Sequence, residues 1–105
     1  MSVGSVSVSE STLKALMRFI EEEISRLKSE LKIIEEELRL FEEKYGLRSS
    51  EFLEMMEGKR KWSLPDGSEP DVVEWEALIE QKRMLEKRLK ELDELWHQLR
   101  DYSKY

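Results

Sequence analysis

Between residues 10 and 45 the apolar side chains recur at strict four- and three-residue intervals: Leu13, Met17, Ile20, Ile24, Leu27, Leu31, Ile34, Leu38, Phe41 and Tyr45. An α-helix places such positions on one line along its side, whereas a strand would scatter them over both faces. The spacing predicts one long helix over about 10–45, roughly 50 Å long at 1.5 Å per residue, with a continuous coiled-coil seam. Ser9, Ser11 or Thr12 supplies a cap for its start, and Gly46 suits a left-handed stop after its end. Glu10–Lys14, Glu22–Arg26 and Glu35–Arg39 are charge pairs four residues apart that support such a helix.

A second helix is predicted over about 71–101, where Trp75, Leu78, Leu85, Leu89, Leu92, Trp96 and Leu99 keep the same alternation and Lys82 takes one seam slot. Asp71 and Glu74 have capping-box spacing, with Pro70 as a stop on backward extension. Apolar residues spill beside this seam at Val72, Ile79, Leu95 and Tyr102, a wider stripe than a two-stranded coil needs. The linker, 46–70, contains a short helix over about 50–57, capped by Ser49 or Ser50, carrying Phe52, Leu53, Met55 and Met56 and ending at Gly58. Lys59-Arg60-Lys61-Trp62-Ser63-Leu64 and a Pro65-Asp66-Gly67 turn complete it.

Two long helices joined in this way fold back antiparallel, which brings Phe41 and Tyr45 near Trp75 and Ile20 near Trp96, with Phe52, Trp62 and Leu64 closing the linker end. The fold class expected is therefore all-α: residues 10–105 form an antiparallel two-helix coiled-coil hairpin with a short linker helix, and residues 1–9 a tail or short strand. A lone hairpin buries one seam per helix and little core, so it is expected to dimerise into a four-helix bundle.

Composition narrows the function. The 105 residues include no cysteine and one histidine, so disulfides, thiolate metal sites and a cysteine nucleophile are excluded. No apolar run approaches the roughly 18 residues that span a bilayer, and the start MSVGSVSVSES lacks a signal peptide's basic end and apolar segment, so a cytoplasmic location is expected. Abundant Glu, Lys and Arg with no Asn is a composition expected of thermophile proteins. A net charge of −6 gives no global basic face for a phosphate backbone.

Glu94 and His97 match the Glu-x-x-His of di-iron bundles, but with Leu92 and Trp96 on the seam both point outward, and no metal site is expected. The serines lie in the tail, in loops and on exposed helix positions without a base beside them, and no Gly-rich phosphate loop is present, so no catalytic residues are assigned. The alternation in Ser2–Ser9 ahead of a helix resembles a ribbon-helix-helix repressor, but offers only serine hydroxyls where base-reading donors belong. Lys59-Arg60-Lys61 beside Trp62 is a candidate contact for RNA or an acidic partner, set against a solvated loop with Trp62 as a packing anchor. Lys82 is read as a register-setting seam residue or a partner of Glu35 and Glu36.

Glu43-Lys44-Tyr45-Gly46, then Ser49-Ser50-Glu51-Phe52, Gly58 and Glu74-Trp75 form a pattern that resembles a family of small archaeal and bacterial helical proteins, over about residues 35–95. The resemblance implies an antitoxin-like partner of a small toxin and brings no catalytic residues; the Lys59-Arg60-Lys61 loop departs from the pattern. The function expected is a non-enzymatic protein–protein interaction module without cofactor, a homo-oligomer that binds a second protein. Tyr45, Phe52, Trp62, Trp75 and Trp96 are its core or partner-binding anchors. Alternatives are a prefoldin-like helical chaperone, against which the short linker helix counts, and a small DNA-binding regulator with an N-terminal β-ribbon.

Overall fold

The computed structural model describes residues 8–103. Among them there are three α-helices and no strand: α1 (Glu10–Tyr45), α2 (Ser49–Met56) and α3 (Glu69–Tyr102). The N-terminal strand expected over 2–9 falls mostly on residues outside the described range, and Val8 and Ser9 belong to no element.

The seam of α1 is where the heptad puts it. Leu13, Ile20, Leu27 and Leu38 are buried and the other six seam residues are half-buried, while the charged positions between them face water, apart from the partly covered Glu23, Glu30 and Glu42. Ser9 caps the start, its Oγ accepting the Thr12 N–H at 3.2 Å and its carbonyl the Leu13 N–H at 2.9 Å. At the other end Gly46 takes φ +64°, and the Leu47 N–H reaches back to the Glu42 carbonyl at 3.2 Å. That wrap needs a residue free of a Cβ penalty at positive φ, which is why the helix ends where the glycine stands.

Two helix starts differ from the expectation. α3 begins at Glu69, with Pro70 inside the first turn, and the Ser68 carbonyl accepts the Val72 N–H at 2.9 Å. Proline is tolerated there because first-turn N–H groups have no intrahelical acceptor. Asp71 does not cap this helix with Glu74; its carboxylate is taken by Lys44 and Tyr45. At α2 neither Ser49 nor Ser50 is the cap: the Glu42 carboxylate accepts the Ser49 N–H at 2.6 Å and Glu51 accepts the Arg48 N–H at 2.9 Å. Carboxylates suit the positive end of a helix, and they leave the Ser49 hydroxyl free for a tertiary bond.

The chain divides into two compact units, residues 30–86 and the terminal segments up to 29 and from 87. In the 30–86 unit α1 and α3 are antiparallel, since Tyr45 meets Asp71 while Phe41, one turn earlier, meets Trp75, one turn later. Its core is Leu38, Phe52, Met55, Leu64, Trp75 and Leu78, with Ile34, Phe41, Tyr45, Leu47, Val72 and Ile79 packed around it. Phe52 and Leu64 close this core as expected. Trp62 does not: it is 48% exposed, and Leu64, two residues on, is the loop residue that enters the core. In the terminal unit Leu13, Ile20 and Leu27 of α1 and Leu92 of α3 are buried, and Trp96 is half-buried.

Candidate functional site

Three of the five anchor residues converge in the 30–86 unit. The Trp75 indole is stacked against Phe52 at 4.2 Å between ring centres, Phe41 at 5.7 Å and Tyr45 at 5.8 Å, and both Trp75 and Phe52 have no exposed surface. The seam delivers Phe41, Tyr45 and Trp75, and the tight Gly46 turn starts α2 soon enough for Phe52 to lie over the indole. A buried indole must dispose of its N–H, and Trp75 Nε1 donates to Ser49 Oγ at 3.0 Å.

Polar residues hold the rim. Lys44 Nζ donates to Asp71 Oδ2 at 2.6 Å, and the Tyr45 hydroxyl donates to the same oxygen. The Lys44 ammonium, helped by the Tyr45 hydroxyl, keeps the Asp71 carboxyl below its usual range. Reciprocally, the Asp71 carboxylate raises both the Lys44 ammonium and the Tyr45 phenol. The Arg48 N–H and the Arg60 guanidinium lower Glu51. Of the Glu-Lys-Tyr-Gly, Ser-Ser-Glu-Phe and Glu-Trp pattern, Tyr45, Phe52 and Trp75 thus supply rings and Lys44, Ser49 and Glu51 polar contacts around them, whereas Glu43 pairs with Arg39. Trp75 and Phe52 are fully buried and Phe41 and Tyr45 half-buried, with the indole N–H and the Asp71 carboxylate both paired.

The other two anchors stand elsewhere. Trp96, in the terminal unit, donates Nε1 to Glu21 at 2.9 Å, with the Arg100 guanidinium 5.6 Å from its ring centre and His97 edge-on at 5.2 Å. Trp62 lies in the basic loop, where Lys59 pairs with Glu57 at 2.8 Å and Arg60 with Glu51 at 2.9 Å. Of that basic run only Lys61 is left without an ion pair to a described residue, so the loop's net positive charge is small.

Glu94 and His97 are both exposed, and His97 Nδ1 lies 2.7 Å from the Asp93 carbonyl. No group of three or more His, Asp or Glu side chains suited to a metal ion occurs among the described residues. On the flank covered by α2, an open groove of about 630 Å³ is bordered by Glu35, Glu42, Ser49, Leu53, Ile79 and Lys82. Lys82 shares this groove with Glu35 and Glu36 but makes no ion pair with a described residue, and Arg39 takes Glu36 instead.

A different set of residues escaped the sequence reading. Phe19, Ile33 and Leu40 of α1 and Met84 of α3 are 65%, 60%, 57% and 62% exposed, large apolar side chains standing in water. Phe19, Ile33 and Leu40 lie fourteen and seven residues apart, each one residue before a seam position and so about 100° round the helix from it, and a second heptad line was their signal. The charged residue at the intervening position, Arg26, interrupts that line and hides it.

Comparison with known protein families, with curated proteins and with solved structures finds no match to this chain.

Proposed function

We propose that this chain is a non-catalytic protein–protein interaction module, which self-associates and holds a second protein in the manner of an antitoxin-like partner or adaptor. One observation carries the reading: bulky apolar residues stand exposed on sides of the helices that the hairpin's own seam does not use. In the terminal unit these are Leu16 and Phe19, which share one side of α1, and Leu95 and Tyr102, which share one side of α3. Leaving such surface in water forgoes roughly 25 cal/mol for every Å² that a partner would cover. Nearby charges are mutually neutralised, Arg26 by Glu23 and Arg88 by Glu91, so a second copy of the chain meets no net like charge there. Pairing of two copies through this unit gives the four-helix arrangement in which the wide stripe of α3 is covered on two sides.

Sedimentation equilibrium of the full chain at micromolar concentration tests it. A dimer or larger species is expected, converted to monomer by Phe19→Glu with unchanged helicity. A monomeric wild-type chain, or a Phe19→Glu variant that still dimerises, would overturn the assignment of this surface.

A further inference from the structure

The 30–86 unit carries its own bare flank, and its chemistry differs from that of the terminal unit. Helix α2 lies beside the groove bordered by Glu35, Glu42 and Ile79, so one flank of the α1–α3 pair is covered. On the heptad wheel Ile33 and Leu40 of α1 fall on the other flank, as does Met84 of α3, and all three are more than half exposed. A shallow depression of about 190 Å³ lies on this flank, bordered by Glu37, Leu40, Phe41 and Lys44 of α1 and by Glu74 of α3, so both helices contribute to one surface.

Its charges are unbalanced. Lys44 is spent on Asp71, whereas Glu37 and Glu74 enter no ion pair with a described residue. Apolar knobs beside two uncompensated carboxylates would repel a second copy laid on the same surface, where Glu37 and Glu74 would face their own duplicates. The complementary occupant has an apolar stripe bordered by cations, in a shape that fits beside two helices. We infer that this flank docks a basic amphipathic helix of a partner protein. A Lys or Arg of that helix sets its aliphatic stem on Leu40 and Phe41 and its charged head between Glu37 and Glu74, while apolar residues one and two turns along meet Ile33 and Met84. This rests on the interaction-module reading and adds the partner's chemistry to it.

The probe is a labelled synthetic helix with leucines at helical spacing bordered by lysines, titrated with the full chain at moderate salt, beside a twin with glutamates in place of the lysines. The lysine peptide is expected to bind at least about tenfold more tightly than its twin. Leu40→Glu should weaken it about tenfold, and Glu37→Lys with Glu74→Lys should reverse the preference between the peptides. Glu54→Lys with Glu76→Lys, an equal change of charge off this flank, should leave the preference intact. Equal binding of the two peptides, or equal loss in the two lysine double variants, would overturn the inference. So would dissociation of the wild-type oligomer by Leu40→Glu, which would assign the flank to a second copy. If the chain self-associates through Phe19 and yet the lysine peptide fails to bind, only the partner's chemistry falls, and the module reading stands.

Discussion

Replacing Trp75 by alanine tests the reading of the aromatic cluster most severely. The indole has no exposed surface, is stacked by Phe52, Phe41 and Tyr45, and donates its N–H to Ser49. Burying a tryptophan removes roughly 150–250 Å² from water, which at about 25 cal/mol per Å² comes to about 4–6 kcal/mol, of which alanine retains a small part. The orphaned Ser49 hydroxyl adds about 1 kcal/mol, and partial collapse of the three rings into the cavity returns some of the loss. The balance is about 4 kcal/mol, a large share of the roughly 5–15 kcal/mol that holds a small domain together. Urea titration followed by circular dichroism reads it: with a slope of about 2 kcal/mol per molar, the midpoint falls by about 2 M. Trp75→Phe keeps a stacking ring and loses the hydrogen bond, so about 1–3 kcal/mol is expected, which keeps the argument measurable if the alanine variant does not fold. Trp62→Ala, in the exposed loop, should cost no more than about 0.5 kcal/mol. A loss below about 1 kcal/mol for Trp75→Ala would refute the account and show that the cluster is not the centre of the core.

Asp71→Asn removes the carboxylate that Lys44 and Tyr45 share, and its effect should depend on pH. Because the Asp71 carboxyl is held low, the wild-type advantage in urea midpoint is present at neutral pH and is lost as pH falls through and below the usual carboxylate range. Because Lys44 and Tyr45 are held high, it is lost again as pH rises through their raised range; an advantage constant across pH would contradict the shared bond. Duplex DNA should bind the free chain weakly, and what binding occurs should depend on Lys59, Arg60 and Lys61 and vanish near about 0.15 M salt. Mobility shifts check it, and tight sequence-selective binding that requires residues 1–9 would favour the ribbon-type regulator.

Periodicity alone specifies the two long helices and their seam, because the four-and-three alternation in 13–45 has only one geometric solution, a line along one side of a helix. It also located the pairing of Phe41 and Tyr45 with Trp75, since chain reversal at the 46–70 linker leaves those residues level. What it left open were choices made between elements. Asp71 has the spacing to cap α3, and Ser49 the chemistry to cap α2, but each was taken by a stronger tertiary partner, Lys44 with Tyr45 in one case and the Trp75 indole in the other. Trp62 and Leu64 are both apolar and two residues apart, and hydrophobicity alone does not say that the smaller side chain is the one buried. The exposed flank is of the same kind: Ile33, Leu40 and Met84 are apolar wherever they stand, and only the position of α2, on the opposite side of the helix pair, decides that they face water. Local periodicity fixes which side of a helix is apolar, but whether that side is covered depends on what the rest of the chain brings to it.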